Sequence, residues 1–336
     1  MLPGQARTTA MGILPHTNLA QAQELALTLD IPFWPQLPRF RYKEDMYAQF
    51  AEHFPGILID EEKEVLRFSQ DRFALELDEY LAASTDEAYF ALSEEFSTAF
   101  RGFLDQDLSS YIMVRGQTVG PVSFGLKICD EELKPMIYND FVREILYDFL
   151  QHKLSWQYNR LKSVHPNPFI WLDEPGLEMI FNSFSAYTSE LARTEYAAFL
   201  AQLPGPKGVH LCGNPDWSFL LNANLDILSI DAFSCGHIFV RYIDEVKEFL
   251  SQGKIIAWGI TPTLTSELAL ESADTLTKRL VELWEFLSKH GLDDDLIYNQ
   301  SWLAPSRCCL INNDGTKSVE QSFELLRQIS ANLRSR

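Results

Sequence analysis

Basic residues are in short supply. Lys and Arg number 28 against 47 Asp and Glu, a formal charge of −19 at pH 7, and no basic stripe offsets the excess. Such a surface repels nucleic acid and anionic lipid, and it argues against polyanionic ligands. Long apolar runs are missing as well. None reaches the roughly 20 residues a membrane helix needs, so no membrane partner is expected. The first residues, MLPGQARTTAMG, have no hydrophobic signal core, which points to the cytoplasm. Cysteine is sparse and odd in number: Cys129, Cys212, Cys235, Cys308 and Cys309. That usage suits free thiols or metal ligands better than a disulfide framework. Gly-x-Ser-x-Gly, GxxxxGK[ST] and a strand-placed GxGxxG are all absent, which removes serine-hydrolase, P-loop and dinucleotide chemistry of the familiar kinds.

What is there is an alternation. Short apolar, β-rich runs at Ala10–Leu14, Pro32–Gln36, Tyr111–Gly116, Phe169–Leu172, Gly208–Cys212, Ile227–Asp231, Ile255–Ile260 and Leu296–Gln300 read as strands. Helical periodicity fills Leu19–Leu29, Asp140–Leu161, Glu178–Leu203, Tyr242–Gln252, Ser266–His290 and Ser318–Leu333. Eight strands alternating with helices predict a parallel sheet closed into a (β/α)₈ TIM barrel. The stretch from 57 to 101, acidic and aromatic, reads as a helical insertion after the second strand. No repeat or linker divides the chain, so residues 1–336 are expected to form one catalytic domain.

The segment Gly208-Val209-His210-Leu211-Cys212 carries the sharpest chemical signal. Residues two apart on a strand share a face, so His210 and Cys212 point together into the barrel at the C-terminal end of their strand. Imidazole nitrogen and thiolate sulfur suit Zn²⁺, which accepts mixed N/S ligation. Asp231 closes the next strand, and Cys308 and Cys309 follow the last. Their convergence at one mouth would complete a site, with Cys308 the favoured sulfur and Cys235 the substitute for Asp231. The alternatives are a helix-capping or solvated Asp231 and loop cysteines without metal. Cys129 has no partner spacing. Ligands from separated strands favour an open position for substrate, and zinc there would ionise a thiol whose free pKa lies near 8.5.

Six motifs in order then resemble one family. They are Thr9–Thr17 on the first strand, Lys43–Phe50 on the following helix, Arg115-Gly116-Gln117-Thr118-Val119-Gly120-Pro121-Val122, Leu172-Asp173-Glu174-Pro175-Gly176-Leu177, His210-Leu211-Cys212 and Cys308-Cys309-Leu310. Together they resemble the C-terminal catalytic barrel of cobalamin-independent methionine synthase in its short core form. The chain is more distantly similar to zinc-dependent corrinoid:thiol methyltransferases and to uroporphyrinogen decarboxylase.

The resemblance implies that His210, Cys212 and Cys308 are zinc ligands, with Asp231 standing where the family has a glutamate. It implies that Asp173 holds the amino group of a substrate such as homocysteine, and that Met11, Gly12 and Ile13 line the substrate site. His16, at the end of the first strand, is a candidate to line the pocket and take part in catalysis. The chain departs from the family at Ile13, where a serine near the substrate carboxylate is expected, and at Phe40, where an amine-binding glutamate is expected. Arg39 and Arg41 lie close by and are candidates to pair with an anionic substrate. No Asp-x-His-x-x-Gly motif houses a corrinoid, so the implied methyl donor is a methylcorrinoid carried by a partner protein. The same zinc chemistry with another thiol acceptor or donor, and a non-catalytic zinc-binding barrel, are the competing readings; porphyrin decarboxylation is a weaker one.

Overall fold

In the computed structural model, residues 2–180 and 187–335 are described. The chain begins β1 (Arg7–Thr8), α1 (Leu19–Ala26), α2 (Met46–Ala51), β2 (Ile57–Asp60), β3 (Val65–Phe68), α3 (Gln70–Ala83) and α4 (Thr98–Leu104). It continues β4 (Val114–Val119), α5 (Pro121–Lys127), α6 (Asp140–Val164), β5 (Pro168–Asp173), α7 (Leu177–Ile180), α8 (Ser189–Gln202), β6 (Lys207–Leu211), α9 (Trp217–Asn222) and β7 (Ile227–Ile230). It ends α10 (Ala232–Phe239), α11 (Ile243–Ser251), β8 (Ile255–Thr261), α12 (Thr265–Leu268), α13 (Ala273–Lys289), α14 (Asp294–Asn299), β9 (Ser301–Pro305) and α15 (Lys317–Arg334).

Seven strands form one parallel sheet in the order β1-β9-β8-β7-β6-β5-β4. The sheet curls, and its strands sort their residues between two apolar regions. Met113, Phe169, Trp171, Ile227, Ile255, Ala257 and Trp302 share an inner cluster with Met11 and Ile31. The alternate positions, including Ile170, Leu172, Leu228, Ile256, Trp258 and Leu303, join the larger cluster beneath the helices. Period-two alternation is therefore preserved even though both faces are apolar. Gly116 faces the helical layer, where an added Cβ would lie 2.1 Å from the Gln157 Oε1 of α6. Its neighbours Arg115 and Gln117 take the opposite face.

The expected second strand, Pro32–Gln36, makes isolated parallel bridges to both edges of this sheet. Phe33 pairs with Arg115 of β4, and Gln36 pairs with Ile13. Arg115 N donates to Pro32 O at 2.9 Å, Ile31 N to Thr8 O at 3.0 Å and Gln36 N to Gly12 O at 2.7 Å. The first strand behaves likewise: its ladder covers Arg7–Thr8, and Ile13 adds one further bridge to Cys309.

Three expectations change. The stretch Leu296–Gln300 is not the last strand, because Asp293 accepts the Leu296 N–H at 2.9 Å and caps α14, with Asp294 and Asp295 in its first turn. Acidic groups at that position favour a helix N-terminus, and the strand follows at Ser301–Pro305. The helix expected over Ser266–His290 is interrupted: Ser272 and Thr275 form a capping box that restarts the chain as α13. Residues 57–101 are not wholly helical either, since β2 and β3 pair antiparallel, Ile57 with Phe68. The expected helix over Glu178–Leu203 includes residues 181–186, which lie outside the described residues; α7 and α8 flank them.

Candidate metal centre

Strand register builds the centre. Asp173 of β5 pairs with His210 of β6, and His210 pairs with Ser229 of β7. Three polar side chains therefore stand abreast at the C-terminal ends of neighbouring strands. All three are buried. The Nδ1 of His210 lies 2.9 Å from Ser229 Oγ, while its Nε2 is buried with no hydrogen-bond partner among the described residues. With Nδ1–H donated to the serine, the lone pair rests on Nε2, the tautomer a metal ligand requires.

Cys212 follows β6 directly, and its sulfur interacts with the Cys308 thiol and with the His210 imidazole. Both contacts stabilise the thiolate of Cys212 and draw its pKa below the ordinary thiol value, against the cost of burial. Cys308, after β9, carries the opposite half of that interaction. The Cys212 sulfur, burial and the Asp173 carboxyl all hold it protonated. Burial also pushes the Asp173 carboxyl up to about 6, although His210 pulls the other way. One chain of contacts thus runs from His210 through Cys212 and Cys308 to Asp173. Among the described residues, no group of three or more His, Cys, Asp or Glu side chains stands ready to hold a metal.

Asp231 is buried, and its Oδ1 accepts the Ser234 N–H at 2.8 Å, capping α10. It senses His210 electrostatically but is engaged at the helix end. Cys235, half-buried on α10, senses Asp231 and Arg307. Cys309 is exposed, and Cys129 lies at an isolated bridge to Pro135.

Met11 sits in the inner apolar cluster, Gly12 packs on Gln117, and Ile13 pairs with Cys309. His16 is buried with Nδ1 unpartnered; desolvation lowers its pKa, opposed by Glu320 of α15. Its electrostatic partner thus lies on α15.

Arg41 is committed elsewhere, donating to Thr98 Oγ1 at 2.5 Å and lying 3.8 Å from Glu44. Glu174, beside Asp173, accepts from Val122 N, Ser123 N and Ser123 Oγ and ties β5 to α5. The structure also brings in residues the sequence did not single out for the site. Tyr47 of α2 senses Asp173 and Cys308, and burial raises its phenol above its ordinary range. Trp171 places its ring 6.4 Å from that of His210. Arg115 stands next to Trp171, with its Cζ 5.0 Å from the indole ring. Inward parity on β4 and β5 was the available signal for the last two.

The fold is shared with a methyltransferase. A methyltransferase from Methanosarcina mazei superposes with a TM-score of 0.62 over 99% of this chain and 94% of that one, at 12% identity. At that identity the likeness speaks for the architecture. No protein-family model matches the sequence, and no curated protein does. Among the described residues, no helix is long and apolar enough to cross a membrane.

Proposed function

We propose that this chain is a zinc-dependent methyltransferase whose acceptor is a thiol bound at the mouth of the curled sheet. One observation carries the reading: a buried imidazole whose Nε2 has no hydrogen-bond partner among the described residues neighbours the Cys212 thiol electrostatically, and that thiol is in turn influenced by Cys308. A nitrogen and two sulfurs arriving from β6 and from the loop after β9 are the donor set expected for catalytic zinc with one position left for substrate. The shared methyltransferase fold agrees with this reading. We further infer that residues 31–36 act as the eighth strand and complete a (β/α)₈ barrel, since their backbone bonds to both sheet edges.

His210, Cys212 and Cys308 would hold the ion. Binding requires the two thiols to exchange their mutual contact for the metal. Asp231 completes the set only by giving up its cap on α10. Bound zinc would supply Lewis acidity that keeps an incoming thiol ionised at neutral pH. The protein's own part is positional. Ser229 fixes the imidazole tautomer, and Asp173 offers a buried carboxylate to an ammonium group such as that of homocysteine. The methyl donor in this reading is a methylcorrinoid delivered by a partner protein, and His16 lines the approach.

Metal analysis of the purified protein beside Cys212→Ala tests the reading. About one zinc per chain is expected in the wild type, with at least a tenfold loss of affinity in the variant. Demethylation of methylcobalamin with a panel of thiols follows. A wild type that stays metal-free after zinc reconstitution, or a variant that retains the ion, removes the assignment.

A further inference from the structure

Helices α4 and α6 border a cleft of about 440 Å³ on the helical side of the sheet. Spacing sets what each presents. Phe100 and Leu104 of α4 stand four apart, as do Trp156 and Arg160 of α6, so each pair shares a helix face and lines the cleft. The Phe100 and Trp156 rings meet there with centroids 5.6 Å apart. Arg101 follows Phe100 into the lining, and buried Leu92 adds to the apolar floor.

The third wall, around residues 88–93, is fastened to α6. Asn159 Nδ2 donates to Glu87 Oε1 at 3.1 Å, and Lys153 Nζ donates to Ala91 O at 3.4 Å. His53, also in the lining, is tied to Tyr89 twice. Its carbonyl accepts the phenol at 2.9 Å, and its Nδ1 lies 2.8 Å from Tyr89 O. A cleft walled in this way is formed before a ligand arrives.

Charge distinguishes it. The chain has 47 acidic residues against 28 basic ones, yet among the described residues no carboxylate lines this cleft, while His53, Arg101 and Arg160 do. Neither guanidinium has a hydrogen bond or an ion pair among the described residues. The Glu52 carboxylate, which accepts from Ser93 N at 3.0 Å, is matched by Lys153 and does not neutralise these arginines. Two free guanidiniums beside two aromatic rings suit an anion with a flat apolar body. Paired N–H donors take a carboxylate, and rings stack on rings. The net charge of −19 opposes anything of higher negative charge.

We propose that this cleft is a binding site for an aromatic monocarboxylate, its ring against Phe100 and Trp156 and its carboxylate between Arg101 and Arg160. None of the lining residues lies on the strands that carry Asp173 and His210 or in the loop that carries Cys308. The assignment is therefore independent of the zinc reading.

Calorimetric titration of the full chain tests it with three probes. They are indole-3-acetate, indole-3-ethanol (the same ring with a hydroxyl in place of the carboxylate) and acetate (the anion without the ring). Indole-3-acetate should bind with a dissociation constant below about 1 mM, roughly tenfold tighter than indole-3-ethanol, because the arginines are solvent-exposed. Acetate should bind more weakly than either. Arg101→Gln/Arg160→Gln changes exposed positions, so the wild-type unfolding midpoint should be kept. In that protein the acid and the alcohol should bind within about twofold of each other. Equal affinity for the two in the wild type, an unchanged preference in the double variant, or no binding of any probe at millimolar concentration overturns the site. A glutamate-flanked tryptophan peptide that binds at least about tenfold tighter than indole-3-acetate, and loses that advantage in the double variant, overturns it too by giving the cleft to a protein partner.

Discussion

Around residues 41–101 the chain buries carboxylates and gives them donors. Glu44, fully buried, accepts from Thr98 N at 2.6 Å, Ala99 N at 3.3 Å and Gln49 Nε2 at 3.2 Å. It thereby seats the N-terminus of α4 against α2. Glu52 accepts from Ser93 N at 3.0 Å and lies 3.7 Å from Lys153 Nζ, with both ionic groups buried. Strands β4 to β6 bury polar groups as deeply and leave Arg115, Trp171, Asp173 and His210 each with an atom that nothing among the described residues satisfies. A buried group with its bonds made holds elements together; one with its bonds unmade raises the free energy of the fold unless a ligand completes it. The first region is built for assembly and the second for binding.

Breaking the satisfied pair should have the largest effect. Lys153→Met strands the Glu52 carboxylate in the interior, and removal of one partner from a buried pair costs about 3–5 kcal/mol. Urea unfolding would read it. Adding Glu52→Gln keeps an acceptor for Ser93 N and removes the stranded charge, so most of the loss should return. A single variant with unchanged stability would mean the pair is not what fastens residues 91–93 to α6.

At the mouth the sign should reverse. Asp173→Asn removes a buried carboxylate whose Oδ1 has no partner and keeps the side-chain volume. A gain of about 1–2 kcal/mol in unfolding free energy at neutral pH is expected, together with weaker homocysteine binding. A destabilised variant would erase the contrast between the two regions, because Asp173 would then be structural like Glu44.

The unequal legibility of the two regions in the sequence has the same origin. Strand-end positions are fixed by period-two parity. That is why His210 and Cys212 could be read as sharing a face from spacing, whereas Asp173 entered only through the resemblance; the strand register sets Asp173 opposite His210. Arg115 obeys the same parity but was read only as part of a motif, since an arginine in a strand carries no sign of whether an acceptor awaits it. The pairing of Glu44 with α4 and of Glu52 with Lys153 joins residues 54 and 101 positions apart, and no local pattern encodes such distances. The error at Leu296–Gln300 was of another kind. A short apolar run fits strand and helix alike, and the aspartates before it were the deciding signal.

The smallest effect expected is a pH dependence that belongs to the satisfied pair. Burial lowers the Lys153 ammonium to about 8 from an ordinary 10.5, with Glu52 opposing the shift. Between those two values the unfolded chain keeps a proton that the folded chain has released, so stability should rise as pH climbs through the window and be lost as pH falls back toward 8. The increment is on the order of 1 kcal/mol once part of the shift is assigned to relaxation around the pair. Buried tyrosines such as Tyr80 have raised pKa values and lose stability at the alkaline end, but they do so equally in the Lys153→Met/Glu52→Gln protein. The difference in unfolding free energy between wild type and that double variant, followed from pH 8 to 10.5, isolates the lysine. It should move toward the wild type across the interval. A flat difference would show that the ammonium is hydrated in the folded chain, and the pair would then belong with the surface charges rather than with the groups that fasten residues 91–93 to α6.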